Sequence, residues 1–307
     1  MESLDDAFPW VPDRLARVFD HIDNELASPM DLASLARLAC YSPHHFERVF
    51  GSYTDASPID YLRRRRMQQA ASRLRHEALP VGELGLDSGY SGYHAFAKAF
   101  LRTFGMTAGE WRHEAGWRAH MQHTIGRNGM AMPAALGFHR HGIVTREPEG
   151  VALQVAAHTE VVELPAIPVI SRRVIGAWKD SAMTIAMANF MRDIPPMCSG
   201  GAVPRYIGLF HGDPGLAQRN DIVFEACMTL PPDRVLPGHR KLVPGGFYAR
   251  FRYGSGHPLF QRLYENWLDT QQLWQLDSLR PHLRCYPAAG EMGWIAMPVK
   301  PTPMVRR

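Results

Sequence analysis

The stretch Tyr41-Ser42-Pro43-His44-His45-Phe46-Glu47-Arg48-Val49-Phe50 decides how this chain is read. Ser42 is a good helix N-cap, and Pro43 suits the first helical position because its φ is already helical. Phe46, Val49 and Phe50 then fall on one helix face, which predicts that they point inward. Upstream, Leu15, Val18, Phe19, Ile22 and Leu26 mark an amphipathic helix over residues 14–26, and Pro29 breaks it. Asp31 is an N-cap for a short helix with Leu32, Leu35 and Leu38 inward. A short helix, a tight turn and a second helix make a helix-turn-helix. Downstream, Asp55 ends the helix. Ser57-Pro58 opens a long one, with Ile59, Leu62, Met67, Ala70 and Leu74 on one stripe.

The pattern then recurs. Pro80-Val81 opens a short helix with Val81, Leu84 and Leu86 inward, Asp87-Ser88-Gly89-Tyr90 turns, and Ser91 is the expected cap of the next helix. Tyr41-Ser42 returns as Tyr90-Ser91, 49 residues on. Phe46, Phe50, Asp55 and Tyr61 return as Phe96, Phe100, Gly105 and Trp111, each 50 residues on. Gly105 stands where a helix end wants positive φ. A helix-turn-helix repeated at this spacing about one long helix is a specific arrangement.

These residues give the resemblance. Residues 14–115 resemble the DNA-binding domain of the AraC/XylS family of transcription regulators, through Leu38 to Phe50, Ser57-Pro58-Ile59-Asp60-Tyr61 with Arg66 and Ala70, and Asp87-Ser88-Gly89-Tyr90 with Phe96, Phe100 and Gly105. Asp55 stands where the family has Gly, and Ala108 replaces a Pro before Trp111. Gly92 and Lys98 replace a Ser and an Arg in the second recognition helix. The resemblance implies binding to double-stranded promoter DNA, with the early outward residues of each second helix reading base edges. Those are His44, His45, Glu47 and Arg48 in the first unit and Tyr93, His94 and Lys98 in the second. Arg48 can donate twice to guanine, and Glu47 can accept from cytosine. Arg66, in the run Arg63–Arg66, is expected to tie the two units together or to touch a phosphate.

Charge argues for placed cations. The 307 residues carry a net charge of +4, yet residues 1–120 hold 14 basic against 16 acidic side chains. DNA affinity therefore rests on a few arginines and Lys98 and not on a general positive field. The acidic start and the lack of a long apolar run speak against a signal peptide or membrane span. Four scattered cysteines, Cys40, Cys198, Cys227 and Cys285, form no CxxC pair, which points to a reducing, cytoplasmic setting. His120/His123 and His139/His141 lack cysteines or paired carboxylates, so no metal and no cofactor is expected.

Residues 116–157 are punctuated by Gly and Pro and read as a linker after a tail (1–13) and the helical domain (14–115). From residue 158 to 303 the pattern is strand-like: 161–164, 168–176, 206–210, 221–230, 246–254, 282–286 and 293–299, with helices over 181–191 and 258–273. Strand-helix-strand-strand, twice, makes a pseudo-two-fold α+β domain (duplicated β-α-β-β) beside an all-α double helix-turn-helix domain. Val174-Ile175-Gly176-Ala177-Trp178, Gly208 to Pro214, Val243 to Ala249, Tyr253-Gly254, Tyr264 with Trp267-Leu268, and Met297-Pro298-Val299 resemble the GyrI-like effector-binding domain. That resemblance implies a small-molecule site, for which the candidates are Trp178, Tyr206, Glu225, Phe247, Tyr253, Tyr264, Trp267, Arg284, Tyr286 and Trp294. Arg284 replaces a Glu that drug-binding members carry, and favours an anionic ligand. The expected protein is a sequence-specific DNA-binding transcriptional regulator that senses a small molecule and is not an enzyme, with RNA polymerase a further candidate partner. The alternative is a DNA-binding module fused to a GyrI-like hydrolase that acts on a small electrophile through Glu225 or Glu291.

Overall fold

A computed structural model describes residues 10–77, 79–113, 155, 157–176, 180–194, 205–212, 223–230, 238–253, 263–264, 267–286 and 292–303. Most of the expected linker, the four linker histidines, Trp178, Glu291 and residues 258–262 and 265–266 of the expected 258–273 helix lie outside these residues, and the end of that helix is replaced by a 3-10 turn over Leu268–Thr270. The chain divides into two compact units, one helical and one built on a sheet. Among the described residues no helix is long and apolar enough to cross a membrane.

The helical unit runs α1 (Asp13–Asn24), α2 (Leu32–Leu38), α3 (Pro43–Thr54), α4 (Pro58–His76), α5 (Val81–Asp87), α6 (Tyr93–Phe104) and α7 (Ala108–Arg112). Its starts follow from local chemistry. Asp31 and Ser34 cap α2 reciprocally, the Ser42 hydroxyl accepts from the His45 N–H, and the Ser57 hydroxyl accepts from the Asp60 N–H. Asp55 ends α3 in the left-handed region at φ 51°, a conformation that Asp tolerates better than most residues.

Three details differ from the sequence reading. The cap of α6 is Gly92, at φ 156° and without a side-chain hydrogen bond, and not Ser91. Leu38 and Leu86 are exposed, because α2 and α5 are only two turns long and each buries just its middle. And α4 is buried almost all round: Arg65, Gln68 and Ser72 are enclosed along with Tyr61, Leu62, Met67, Ala70 and Leu74. It is the shared spine. On one side of it Phe19 and Phe50 stack and both meet the Tyr61 ring edge-on, and Phe96, Phe100, Phe104 and Trp111 pack on the other.

The sheet unit contains β1 (Glu160–Leu164), β2 (Ile167–Ile175), α8 (Asp180–Asp193), β3 (Tyr206–His211), β4 (Val223–Thr229), β5 (His239–Val243), β6 (Gly246–Tyr253), a 3-10 turn (Leu268–Thr270), β7 (Trp274–Leu276), β8 (His282–Tyr286) and β9 (Gly293–Pro301). The strands pair antiparallel in the order β1-β6-β9-β8-β3-β4-β2-β5, and β7 adds to β9. The sheet is curled: Val162 and Leu164 of β1 and Val243 of β5, from its two ends, join one core with Val169, Leu209, Tyr248, Leu283 and Ala296. Strand β5 was not expected. It is an edge strand carrying His239, Arg240 and Lys241, whose charge hides the alternation.

Candidate nucleic-acid interface and the two sheet faces

The first turns of α3 and α6 present the residues expected to read DNA. His44, Glu47 and Arg48 are exposed on α3 while Phe46 and Phe50 anchor its other face. His45 is half-buried and held edge-on to Tyr41, with ring centroids 4.7 Å apart. Its Nδ1 lies 3.2 Å from Arg48 Nη2, so the pair is preset before any partner arrives. On α6, Tyr93, His94 and Lys98 are exposed above Phe96 and Phe100.

Arg66 is already engaged. Its Nε donates to the Leu26 carbonyl at 2.7 Å and its Nη2 to the Ser28 carbonyl at 2.8 Å. Gly89, at φ +76°, lies so close that a Cβ there would meet the Arg66 guanidinium at 2.9 Å. One arginine thus ties the α1–α2 loop to the turn before α6. Burial lowers its pKa somewhat, yet a guanidinium keeps its charge. Arg65 is turned inward onto Asp23 at 2.8 Å. A cleft of about 560 Å³ between α4 and α6 gathers Arg63, Arg64, Arg66 and Arg102 beside a single acidic side chain, Asp60. Arg102 had no signal in the sequence beyond its charge. Only the close approach of α6 to α4 brings it to the run of arginines.

In the sheet, residues directly opposite across a ladder share a face. Tyr206, Phe247, Tyr253, Arg284 and Tyr286 share one face by register, with Phe210, Phe224 and His282. This face receives α8 through Phe190, whose ring meets Tyr206 at 6.2 Å. Tyr264 joins it by a 2.8 Å hydrogen bond with His282 Nε2. Arg284 sits over the Phe210 ring at 5.9 Å. Trp267 lies at the start of the 3-10 turn. Burial pushes the Tyr286 hydroxyl up to about 12, so it stays protonated.

Glu225 and Trp294 lie on the opposite face, so the ten candidates do not form one site. Glu225 and Arg173 are each only 1% exposed and are paired across β2 and β4. Lys241 Nζ is 2.8 Å from Glu225 Oε2, and His211 Nε2 is 3.4 Å from Oε1. Burial alone raises a carboxyl pKa. Here Arg173, then Lys241 and His211, outweigh it and hold Glu225 well below the usual range.

Burial holds the His282 imidazole down at about 3, against an ordinary value of 6.5. It is neutral in the folded unit. Below pH 6.5 the unfolded chain takes up a proton that the fold refuses, so stability is full above 6.5 and falls as pH drops. The expected slope is about 1.4 kcal/mol per pH unit. His282→Gln should flatten the plot of urea midpoint against pH between 6.5 and 4.5; parallel plots would refute this reading of His282.

A helix-turn-helix domain model matches residues 35–114. Over 103 residues the chain is 31% identical to the regulatory protein SoxS of Escherichia coli (strain K12), a match that spans 34% of this chain and 92% of SoxS. The chain belongs to the AraC-type regulators. It is a DNA-binding transcriptional regulator of that type. It is also 30% identical over 98 residues to the transcriptional regulator Rob of Salmonella typhimurium, covering 32% of this chain and 34% of Rob. The solved DNA-binding domain of AdpA, in complex with a target DNA, is 30% identical, with 35% of this chain and 96% of that one covered and a TM-score of 0.33. In this AraC-type chain the matched stretch lies in the helical unit.

Proposed function

We propose that this regulator reads promoter DNA through α3 and α6, and that its sheet unit is a GyrI-like effector domain. The proposed domain limits are 14–115 and 158–303, with a linker between. The observation that carries the DNA reading is the pair of exposed first turns, each braced from behind by its own aromatic cluster. Arg48 and Glu47 face bases in this reading, His44, His45, Tyr93 and His94 adapt to base edges or phosphates, and Lys98 supplies backbone affinity. Arg66 positions the two units against each other.

Fluorescence anisotropy on the chain's own upstream DNA tests it. Arg48→Ala is expected to cost about 1–3 kcal/mol and to relax preference at one base pair, while Lys98→Ala weakens all sequences alike. Binding that stays blind to sequence at every salt concentration would overturn the reading.

Support for the sensing reading comes from the strand order, which is the same read from either end if β1 exchanges with β5, β6 with β2, β9 with β4 and β8 with β3. In each half the edge strand passes to the next strand in sequence through a proline, Leu164-Pro165-Ala166-Ile167 and Val243-Pro244-Gly245-Gly246. This is what a duplicated unit produces. The tyrosines on the helix-covered face and Arg284 form the proposed effector site, and a bound effector biases the regulator toward one state by its differential affinity. Glu225, enclosed and spent on Arg173 and Lys241, favours sensing over the hydrolase alternative. RNA polymerase is the proposed protein partner.

A further inference from the structure

The two halves of the sheet differ at one equivalent place. Arg173 is the seventh residue of β2 and Arg252 the seventh of β6. Arg173 stands opposite Glu225 on β4; Arg252 stands opposite Trp294 on β9. Across the next ladder Glu225 faces Leu209, and Trp294 faces Cys285. In the first half, then, the inward arginine is neutralised by a buried carboxylate. In the second half an indole occupies the carboxylate's position.

A cavity of about 380 Å³ opens there, lined by Arg205, Arg250, Arg252, Cys285, Met292 and Trp294. That volume suits a small organic ligand. Its three guanidinium groups meet one carboxylate among the described residues: Glu160 Oε1 lies 2.8 Å from Arg250 Nη2 and 3.4 Å from Arg252 Nε. Glu160 is itself half exposed, and the Arg250 hydrogen bond lowers its pKa. Arg205 is fixed by its backbone, whose N–H donates to Thr229 Oγ1 at 2.9 Å and whose carbonyl accepts from the Thr229 N–H at 2.9 Å. Positive charge therefore exceeds negative around a floor of indole and a rim of thioether.

We propose that this cavity binds a planar aromatic carboxylate, whose anionic group takes the part that Glu225 plays in the other half and whose ring lies against Trp294. Arginine suits both contacts: its fork matches a carboxylate, and its plane stacks on an aromatic ring. The site lies on the sheet face opposite the proposed tyrosine-lined effector site. It rests on the sensing reading only for its regulatory consequence, not for binding.

The test uses the full chain with 2-naphthoate as probe, against 2-naphthol and 2-naphthylmethylammonium as uncharged and cationic matches, by calorimetric titration and tryptophan fluorescence. Naphthoate is expected to bind at least tenfold tighter than either match. Arg252→Gln and Arg205→Gln, both at exposed positions, should each weaken it several-fold. Glu160→Gln removes the competing internal carboxylate and should strengthen it. Arg192→Gln, which deletes a cation on exposed α8 surface, should leave it unchanged. Equal binding of the three probes, no naphthoate binding, or indifference to the arginine and Glu160 variants would each overturn the proposal. DNA anisotropy in the same titration separates the two readings. Binding without any change in DNA affinity keeps the site and removes the sensing role; no binding removes the site and leaves the DNA reading standing.

Discussion

Glu225→Leu is expected to destabilise the sheet unit by about 3–5 kcal/mol, among the largest effects of any single change in it. The reason is what the substitution leaves behind. Arg173 is 1% exposed, and its carboxylate partner would be gone. A charge held out of water without its counter-ion costs several kcal/mol, whereas the same residues replaced together by apolar ones of similar size cost little. Arg173→Met with Glu225→Leu should therefore recover most of the loss. Lys241 need not change, because it is 14% exposed and its long stem can carry the ammonium to solvent. Native-state amide exchange in β2, β3 and β4 reads this locally. Rates should rise about a hundredfold or more in the single variant and return close to wild type in the double, since each tenfold is 1.4 kcal/mol. A single variant within 1 kcal/mol of wild type would refute the claim that Glu225 is a structural counter-ion. The pH dependence has a definite sign as well. The folded carboxyl pKa is depressed, so the pair's contribution is present above the ordinary carboxylate range and is lost as pH falls through the folded value. The Glu225 loss begins only below the ordinary carboxylate value of 4.5, whereas that of His282 begins at 6.5, so between 6.5 and 4.5 His282 acts without it.

Legibility in the sequence followed the range of the interaction. Capping and one-face packing are local, and Asp31, Ser42, Ser57, Phe46, Phe50, Phe96 and Phe100 declared themselves by spacing alone. The central strands β2, β3, β4 and β9 were legible because both their faces are covered and their apolar runs are long. What failed was register. Period two says which residues of a strand share a face, but not which residue on another strand stands opposite. The 52 residues between Arg173 and its partner hide the pair from any local pattern, and period two alone does not separate Glu225 and Trp294 from the tyrosines on the other face. Buried polar residues on α4 were equally hidden. Arg65, in a run of four arginines, reads as solvated surface until α1 brings Asp23 to it.

Trp111→Ala is expected to open the second half of the helical unit. Trp111 is fully buried and bridges α7 to the spine: its Nε1 donates to the Ala71 carbonyl at 2.9 Å. Its ring lies 4.6 Å from Phe104 and 5.7 Å from Phe100 by centroid. Truncation of so large a buried ring typically costs about 3–5 kcal/mol, because the cavity collapses only in part. The hydrogen bond adds about 1 kcal/mol, so Trp111→Phe, which keeps a ring and loses the donor, should fall between wild type and Ala. The loss should be confined. Tyr61 stands 50 positions earlier and packs with Phe19 and Phe50 in a separate aromatic group, so α1 to α3 retain their own core. Amide exchange in α5 to α7 should then accelerate about a hundredfold while α3 changes much less. The DNA consequence follows from that asymmetry. With α6 no longer presented, binding should weaken and become insensitive to base changes in one half of the operator, yet keep its preference in the half read by Arg48. Equal loss of preference in both halves would mean that α4 transmits the damage and that the two helix-turn-helix units fold as one.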